Sequence, residues 1–372
     1  MPRLRSAFVS LASILLAVLP VPAHAASFGV VNLVTDDQTA NPAQTTDPAL
    51  VNAWGLSSSP TSPFWVSANG SGVSTLYSVD PATNATTKLG LTVSIPGAGN
   101  VTGQAFNSGA ASGQFGGDLF LFVSEDGTVS GWRGALGSAA EALQLGTGQS
   151  YKGTAIGATG GFSYLYSADF ASAAIDILRG DASAPSLAGS FLDPNLPAGF
   201  APFNIQNLGD TLFVTYAVVG SNGDDVPGLG NGIVDAFDLQ GNLLRRVTAG
   251  GELNSPWGLA IAPSSFGALA GALLVGNFGD GRIHAFDASS GAPLGALLDG
   301  QGNPIAIDGL WALAPGNGGN GGDPGSIYFT AGPSDEQHGL FGVISAVPEP
   351  STVALFASGL VGLGSSRRRA PR

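Results

Sequence analysis

Apolar positions along this chain come in short runs, mostly five to seven residues long, closed at each end by Gly, Asn or Asp. Such runs predict β-strands joined by tight turns, and the body lacks long stretches with helical periodicity. The predicted strands cover residues 33–35, 64–68, 75–79, 119–124, 129–133, 164–169, 174–178, 211–217, 233–238, 272–277, 282–287, 326–331 and 341–345.

The strand clusters repeat. Each opens on a related short segment, clearest in Asn52-Ala53-Trp54-Gly55-Leu56 and Ser255-Pro256-Trp257-Gly258-Leu259. Taken at Gly55, Gly103, Gly153, Phe203, Gly258 and Gly309, successive openings lie 48, 50, 50, 55 and 51 residues apart. Within a unit the order is an opening strand, a strongly apolar strand, a tight turn, a strand ending in aromatic-Asp and an outer strand. Six near-equal units of four strands predict an all-β, six-bladed β-propeller. The last unit offers only three strands before residue 346. The unpartnered apolar run at residues 30–35 is therefore expected to close it, which removes an exposed sheet edge.

The two ends stand apart from this body. Arg3 and Arg5 precede an apolar run at residues 7–19, and Ala23-His24-Ala25 has the small-x-small pattern of a signal peptidase site, with the cut expected after Ala25. This assigns residues 1–25 to a signal peptide, 26–346 to the propeller and 347–372 to a tail. The tail reads Val347-Pro348-Glu349-Pro350, then an apolar stretch at residues 352–364, then Arg367-Arg368-Arg369. Its apolar stretch is shorter than the roughly 20 residues of an ordinary spanning helix, and the arginines hold its end on the cytoplasmic side. That order resembles the PEP-CTERM sorting tail of Gram-negative exported proteins. The resemblance implies an exosortase-type partner and transient anchoring in the inner membrane through a short tail helix, then delivery to the cell surface or outside.

Charge narrows the partners. Setting both ends aside leaves seven basic and 25 acidic side chains, a net charge of −18. Such a body repels nucleic acid and anionic lipid surfaces, so membrane contact is expected only through the tail. Cations are the natural counter-partners, although acidity also serves solubility alone. The chain has 57 Gly, 24 Pro and no Cys, which fits a turn-rich fold and excludes a thiol nucleophile.

On the openings at residues 52–56 and 255–259, the body resembles the NHL-like and gluconolactonase-like six-bladed propellers. It is most similar to a family of exported propellers that often carries the same tail. The resemblance implies fold and location, and no reaction. The Glu-Gly-Pro metal-ligand opening of the gluconolactonase group is absent, as is a clear equivalent of the histidine–carboxylate pair of streptogramin-lyase-like propellers.

Catalytic signals in the body are sparse. His284 falls in a strand, and His338 follows Asp335-Glu336 in a polar stretch where a metal ligand is conceivable. There is no Gly-x-Ser-x-Gly elbow. Asn52, Gln104, Asn204, Asn254 and Asp308 fall at comparable positions near the start of innermost strands, and together offer oxygen ligands suited to Ca²⁺ at a channel mouth. The same groups equally suit turn caps or ordered water. Glu125-Asp126-Gly127-Thr128 and Gly279-Asp280-Gly281 are expected as hairpin turns, residues 222–230 as an insertion in blade 4, and residues 317–323 as a flexible loop. Trp54, Trp257 and Trp311 are expected to fill the wedges between blades, with stacking on a sugar ring as the alternative. The functional expectation is a non-catalytic exported propeller that binds a partner or an extracellular polysaccharide. The alternative is a metal-dependent hydrolase or lyase with its site at the channel mouth.

Overall fold

Six antiparallel sheets surround a common axis in the computed structural model, which describes residues 27–347. Blade 1 comprises Ala53–Ser57, Phe64–Ala68, Val73–Val79 and Thr86–Ser94; blade 2 comprises Val101–Phe106, Phe120–Ser124, Val129–Trp132 and Glu141–Gln144. Blade 3 has Tyr151–Thr159, Phe162–Asp169 and Ala174–Arg179; blade 4 has Phe200–Asn207, Thr211–Val218, Ile233–Asp238 and Leu243–Ala249. Blade 5 is built from Pro256–Ile261, Leu273–Asn277, Ile283–Phe286 and Pro293–Ala296, and blade 6 from Leu310–Pro315, Ile327–Ala331 and Leu340–Val347. The ring closes where the innermost strand of blade 6 meets that of blade 1.

The N-terminal strand, Ser27–Thr35, completes blade 6. It runs antiparallel to Leu340–Val347 from Ser27 opposite Val347 to Thr35 opposite Leu340, with one register shift between Asn32 and Val34. Phe28 packs on Phe266 of blade 5, their ring centroids 4.7 Å apart. Asp36 fastens the end of the strand. Its carboxylate accepts a bond from the Gly339 N–H at 2.9 Å and lies 3.0 Å from the His338 Nδ1. His338 is thus engaged in closure. The short strand Thr45–Thr46 adds to the outer edge in parallel.

Blade 3 departs from the four-strand expectation. Its sheet has three strands, and the following residues, 180–199, run without strand structure. Pro185, Pro194 and Pro197 lack the N–H groups a fourth ladder would use. The segment instead packs sideways. Phe191 is buried against Tyr166 and Phe237, and the Gly189 and Phe191 N–H groups donate to the Gln240 and Gly241 carbonyls of blade 4.

Alternating apolar side chains of neighbouring blades interlock in separate clusters between successive sheets. Trp65 and Trp132 join blades 1 and 2, Leu121 and Leu165 join blades 2 and 3, and Val214 and Tyr164 join blades 3 and 4. Val234 with Val275 and Leu274 with Phe329 continue the series. The remaining cluster joins blades 6 and 1 and extends across the axis.

The innermost strands share one irregularity that positions everything at the centre. In all six, the pairing register shifts close to the start, around Trp54, Thr102, Lys152, Phe203, Trp257 and Trp311, the second residue of the strand in five blades and the fourth in blade 4. A bulge of this kind re-aims a side chain. The next residue is Gly55, Gly103, Gly153 or Gly258 in four blades, and there is no room for more. A Cβ on Gly55 would lie 2.3 Å from the Thr102 carbonyl oxygen, and one on Gly153 would lie 2.0 Å from Asn204 Oδ1. The repeated Gly therefore reflects close approach of adjacent inner strands. In blade 6 the equivalent residue is Ala312, three positions after the Gly309 used to count the repeat.

Candidate functional site at the two mouths of the channel

The axis is plugged. Trp54 and Trp311 stack at 3.7 Å between centroids, Phe278 stacks on Trp311 at 4.0 Å, and Trp257 and Phe203 lie at 5.9 Å from it. The three tryptophans are thus packed on one another at the centre, where the bulges aim them. They do not fill the wedges between blades. The Trp257 indole donates to the Lys152 carbonyl, and the Trp311 indole to Asn52 Oδ1. Trp54 Nε1 is buried without a partner among the described residues.

Lys152 occupies the bulge position of blade 3, and its ammonium lies 5.6 Å from the Trp54 ring and 5.9 Å from Phe170. It is 95% buried and ion-pairs with Glu125, with Asp224 3.8 Å away. Burying a lysine this deeply is costly unless it is paired. A chain of contacts runs on from it around this upper mouth, where the innermost strands begin. Glu125 accepts from the Asn69 amide at 3.3 Å, Asn69 accepts from Asn52 at 3.3 Å, and Asn52 donates to Glu336 at 2.5 Å. Because the Trp311 N–H fixes Asn52 Oδ1 as acceptor, the Asn52 amide faces Glu336 as a donor.

Several groups here are held under tension. Ser334, Asp335 and Glu336 all have positive φ, as do Asn52 and Ser255, an uncommon conformation for non-Gly residues that concentrates at functional sites. Burial raises the Glu336 carboxyl above its ordinary value, the charges of Glu125 and Asp225 add to the rise, and the Asn52 bond and Lys152 oppose it. Burial likewise raises Asp225, opposed by adjacent Ser255 and by Lys152. Asp225 Oδ2 and Ser255 Oγ are buried without hydrogen-bond partners among the described residues.

A raised carboxyl binds its proton more tightly in the folded chain than in the unfolded one. Its contribution to stability is therefore full below the unfolded value, about 4.3 for glutamate, and is lost as pH rises through the folded value. Urea denaturation across that range is expected to show wild-type stability falling with pH more steeply than that of Glu336→Gln. Parallel pH profiles would contradict the assignment.

The five oxygen-bearing residues singled out from the sequence are placed as follows. Asn52 belongs to the upper-mouth network, and Asp308 accepts from the Ser334 N–H at 2.9 Å, so both hold the loop at residues 332–338. Asn254 caps the neighbouring loop by accepting from the Gly228 N–H. Asn204 donates to the Trp257 carbonyl at 2.7 Å, across to blade 5. Gln104 faces the other way, donating to the Gly55 and Trp65 carbonyls. No hydrogen bond joins any two of the five among the described residues, nor do three acidic or histidine side chains there group closely enough to hold a metal ion. His284 is buried in blade 5, and burial lowers its pKa.

The sequence did not single out Asn69 or Lys152, and it suggested only a hairpin turn for Glu125, an insertion for Asp225 and a neighbour of His338 for Glu336. One signal was available. Asn69, Glu125, Phe170 and Phe278 each immediately follow the second strand of their blade, a recurring position whose side chains meet the central cluster.

The lower mouth, where the innermost strands end, is open and of different character. It holds a cavity of about 430 Å³ that reaches from Ser57 through Gln104 and Thr154 to Asn207 and Asn317, and no lining side chain is charged.

Residues 346–369 match the PEP-CTERM protein-sorting motif. This motif marks an exported protein processed by exosortase. Apart from Val347, the sorting residues Pro348, Glu349, Pro350 and Arg367–Arg369 lie outside the described residues, as do Ala23 and Ala25. Uncharacterized protein R648 of Acanthamoeba polyphaga mimivirus is 31% identical over 344 residues, covering 87% of this chain and 82% of the viral protein. Uncharacterized protein L690 of the same virus is 34% identical over 319 residues, covering 80% of each. Among solved structures, the PQQ-bound aldose sugar dehydrogenase of Streptomyces coelicolor is similar at 16% identity and a TM-score of 0.47, covering 86% of this chain and 98% of that one.

Proposed function

The chain belongs to the family of the mimivirus proteins R648 and L690, and we propose that this member is a non-catalytic binding propeller that engages a partner or matrix polysaccharide outside the cell. In this reading it crosses the inner membrane of a Gram-negative cell, is anchored briefly through the tail, and is then displayed or released. The observation that carries the non-catalytic reading is the Lys152 ammonium. It pairs with Glu125, lies 3.8 Å from Asp224 and opposes the rise of the Asp225 and Glu336 carboxyls, above the aromatic plug. A built-in cation supports a structural role for these acids.

The test is elemental analysis of gently purified protein together with melting curves in Ca²⁺, Mg²⁺ and EDTA, beside co-sedimentation with matrix material from the host. The expected outcome is no stoichiometric metal, no EDTA shift and retention on the matrix. Stoichiometric metal lost on alanine substitution of Asn52, Asn204 and Asp308 would overturn the metal-free reading, and metal-dependent turnover beside it would establish the hydrolase or lyase alternative. Failure to bind matrix material or any host surface protein would overturn the binding reading.

A further inference from the structure

We infer that the lower-mouth cavity is a binding site for an uncharged sugar residue. The inference rests on the binding reading above and names the ligand class. The cavity's volume of about 430 Å³ falls in the range of small-molecule sites. Its polar lining comes from amides and hydroxyls of several blades, among them Ser57, Ser58, Gln104, Thr154, Gln206 and Asn207. Leu56, Ile156 and Pro315 supply apolar patches between them.

Three of these side chains are held by bonds to the protein. Gln104 Nε2 bonds the Gly55 and Trp65 carbonyls at 2.8 and 2.7 Å, Asn207 Nδ2 bonds the Ile156 carbonyl at 2.9 Å, and Thr154 Oγ1 donates to the Tyr166 carbonyl at 2.9 Å. These bonds fix those three, and Ser57, Ser58 and Gln206 add hydroxyl and amide groups that can both donate and accept. Asn207 Oδ1 and Ser57 Oγ are buried at its edge without a partner among the described residues. A lining of hydroxyls and amides calls for polar groups on the ligand, either hydroxyls that donate and accept or ammonium groups that only donate.

Charge separates these two. An ammonium would leave water for a mouth that offers no carboxylate, whereas Glu125, Asp224 and Glu336 stand at the opposite mouth. An anion would meet neither a counter-charge nor a favourable body charge of −18. A purely apolar ligand would strand the amide oxygens. A neutral saccharide has hydroxyl donors around its rim and C–H faces for the apolar patches, and meets each requirement.

The test is calorimetric titration of the purified protein with short neutral gluco-, galacto- and manno-oligosaccharides, beside uronate-bearing and amine-bearing oligomers of equal length. The expected result is binding of at least one neutral series and none of the charged ones. Ala105→Phe, which fills the cavity, should weaken that binding about tenfold or more with an unchanged melting temperature. Gln206→Glu, which adds charge without bulk, is the second variant should Ala105→Phe fail to fold. Affinity that grows with chain length assigns the site to a polymer, and equal affinity for the monosaccharide assigns it to a free sugar. Absence of neutral binding, equal binding of charged oligomers, or binding that survives both variants overturns the inference. Retention on matrix that neither variant disturbs would leave the broader binding reading standing while removing this site from it.

Discussion

Deleting Ser27–Thr35 is expected to abolish cooperative folding of the whole ring. The strand pairs along its length with Leu340–Val347, and its Phe28, Leu33 and Val34 are fully or almost fully buried. Each such side chain contributes roughly 1.5–3 kcal/mol. Three of them, with a full ladder of backbone bonds, rival the total stability of a typical domain at about 5–15 kcal/mol. The deletion also exposes the edge of Leu340–Val347, a template for association. Near-ultraviolet circular dichroism and size-exclusion chromatography should show lost tertiary signal and aggregated material. A truncated protein with a sharp melting transition close to that of the intact chain would show that closure is dispensable.

Replacing Lys152 by Met is expected to cost about 3–5 kcal/mol, the range for removing one partner of a buried pair. The methionine keeps the apolar length of the side chain against Trp54 and Phe170, so the loss reports charge rather than packing. Glu125 loses its counter-ion, and Glu336 and Asp225 lose a cation that opposes their rise. A second change, Glu125→Gln, removes the stranded carboxylate and should recover much of the stability. The double-mutant cycle, read by urea unfolding, should therefore give a coupling that a packing defect cannot produce. Additive losses from the two single changes would mean that Lys152 serves packing alone.

These two expectations differ in how far the sequence foretold them. Closure by the N-terminal run was legible because a six-unit repeat left blade 6 one strand short and an apolar run without a partner. The fourth strand of blade 3 was misjudged for a local reason. The repeat spacing there is ordinary, yet Pro185, Pro194 and Pro197 lie in the segment, and Phe191 had a better burial site between blades 3 and 4.

The candidate site was less legible still. Asn52 and Asp308 do belong to the upper mouth, whereas Gln104 and Asn204 sit within strands and bond to neighbouring blades. Position relative to the repeated Gly suggested a ring, but a bulge in each inner strand decides which way a side chain points. Lys152 is the clearest case. It precedes Gly153 as Trp54 precedes Gly55, and the shared bulge turns both toward the axis. A strand's alternation has period two only while its register is regular, so periodicity could not foresee this.

The amino-acid sequence by itself determined the number of blades, the all-β class, the acidity of the body and the sorting motif at its end. Each of these is a local or periodic property, written in neighbouring residues and recurring at a near-constant interval. Only the tertiary structure decided which residues meet. Glu336 reaches Asn52 from 284 positions away, and it does so because ring closure brings the last blade beside the first. The charged upper mouth and the neutral lower one arise the same way, from six separated segments whose bulges and turns converge on one axis.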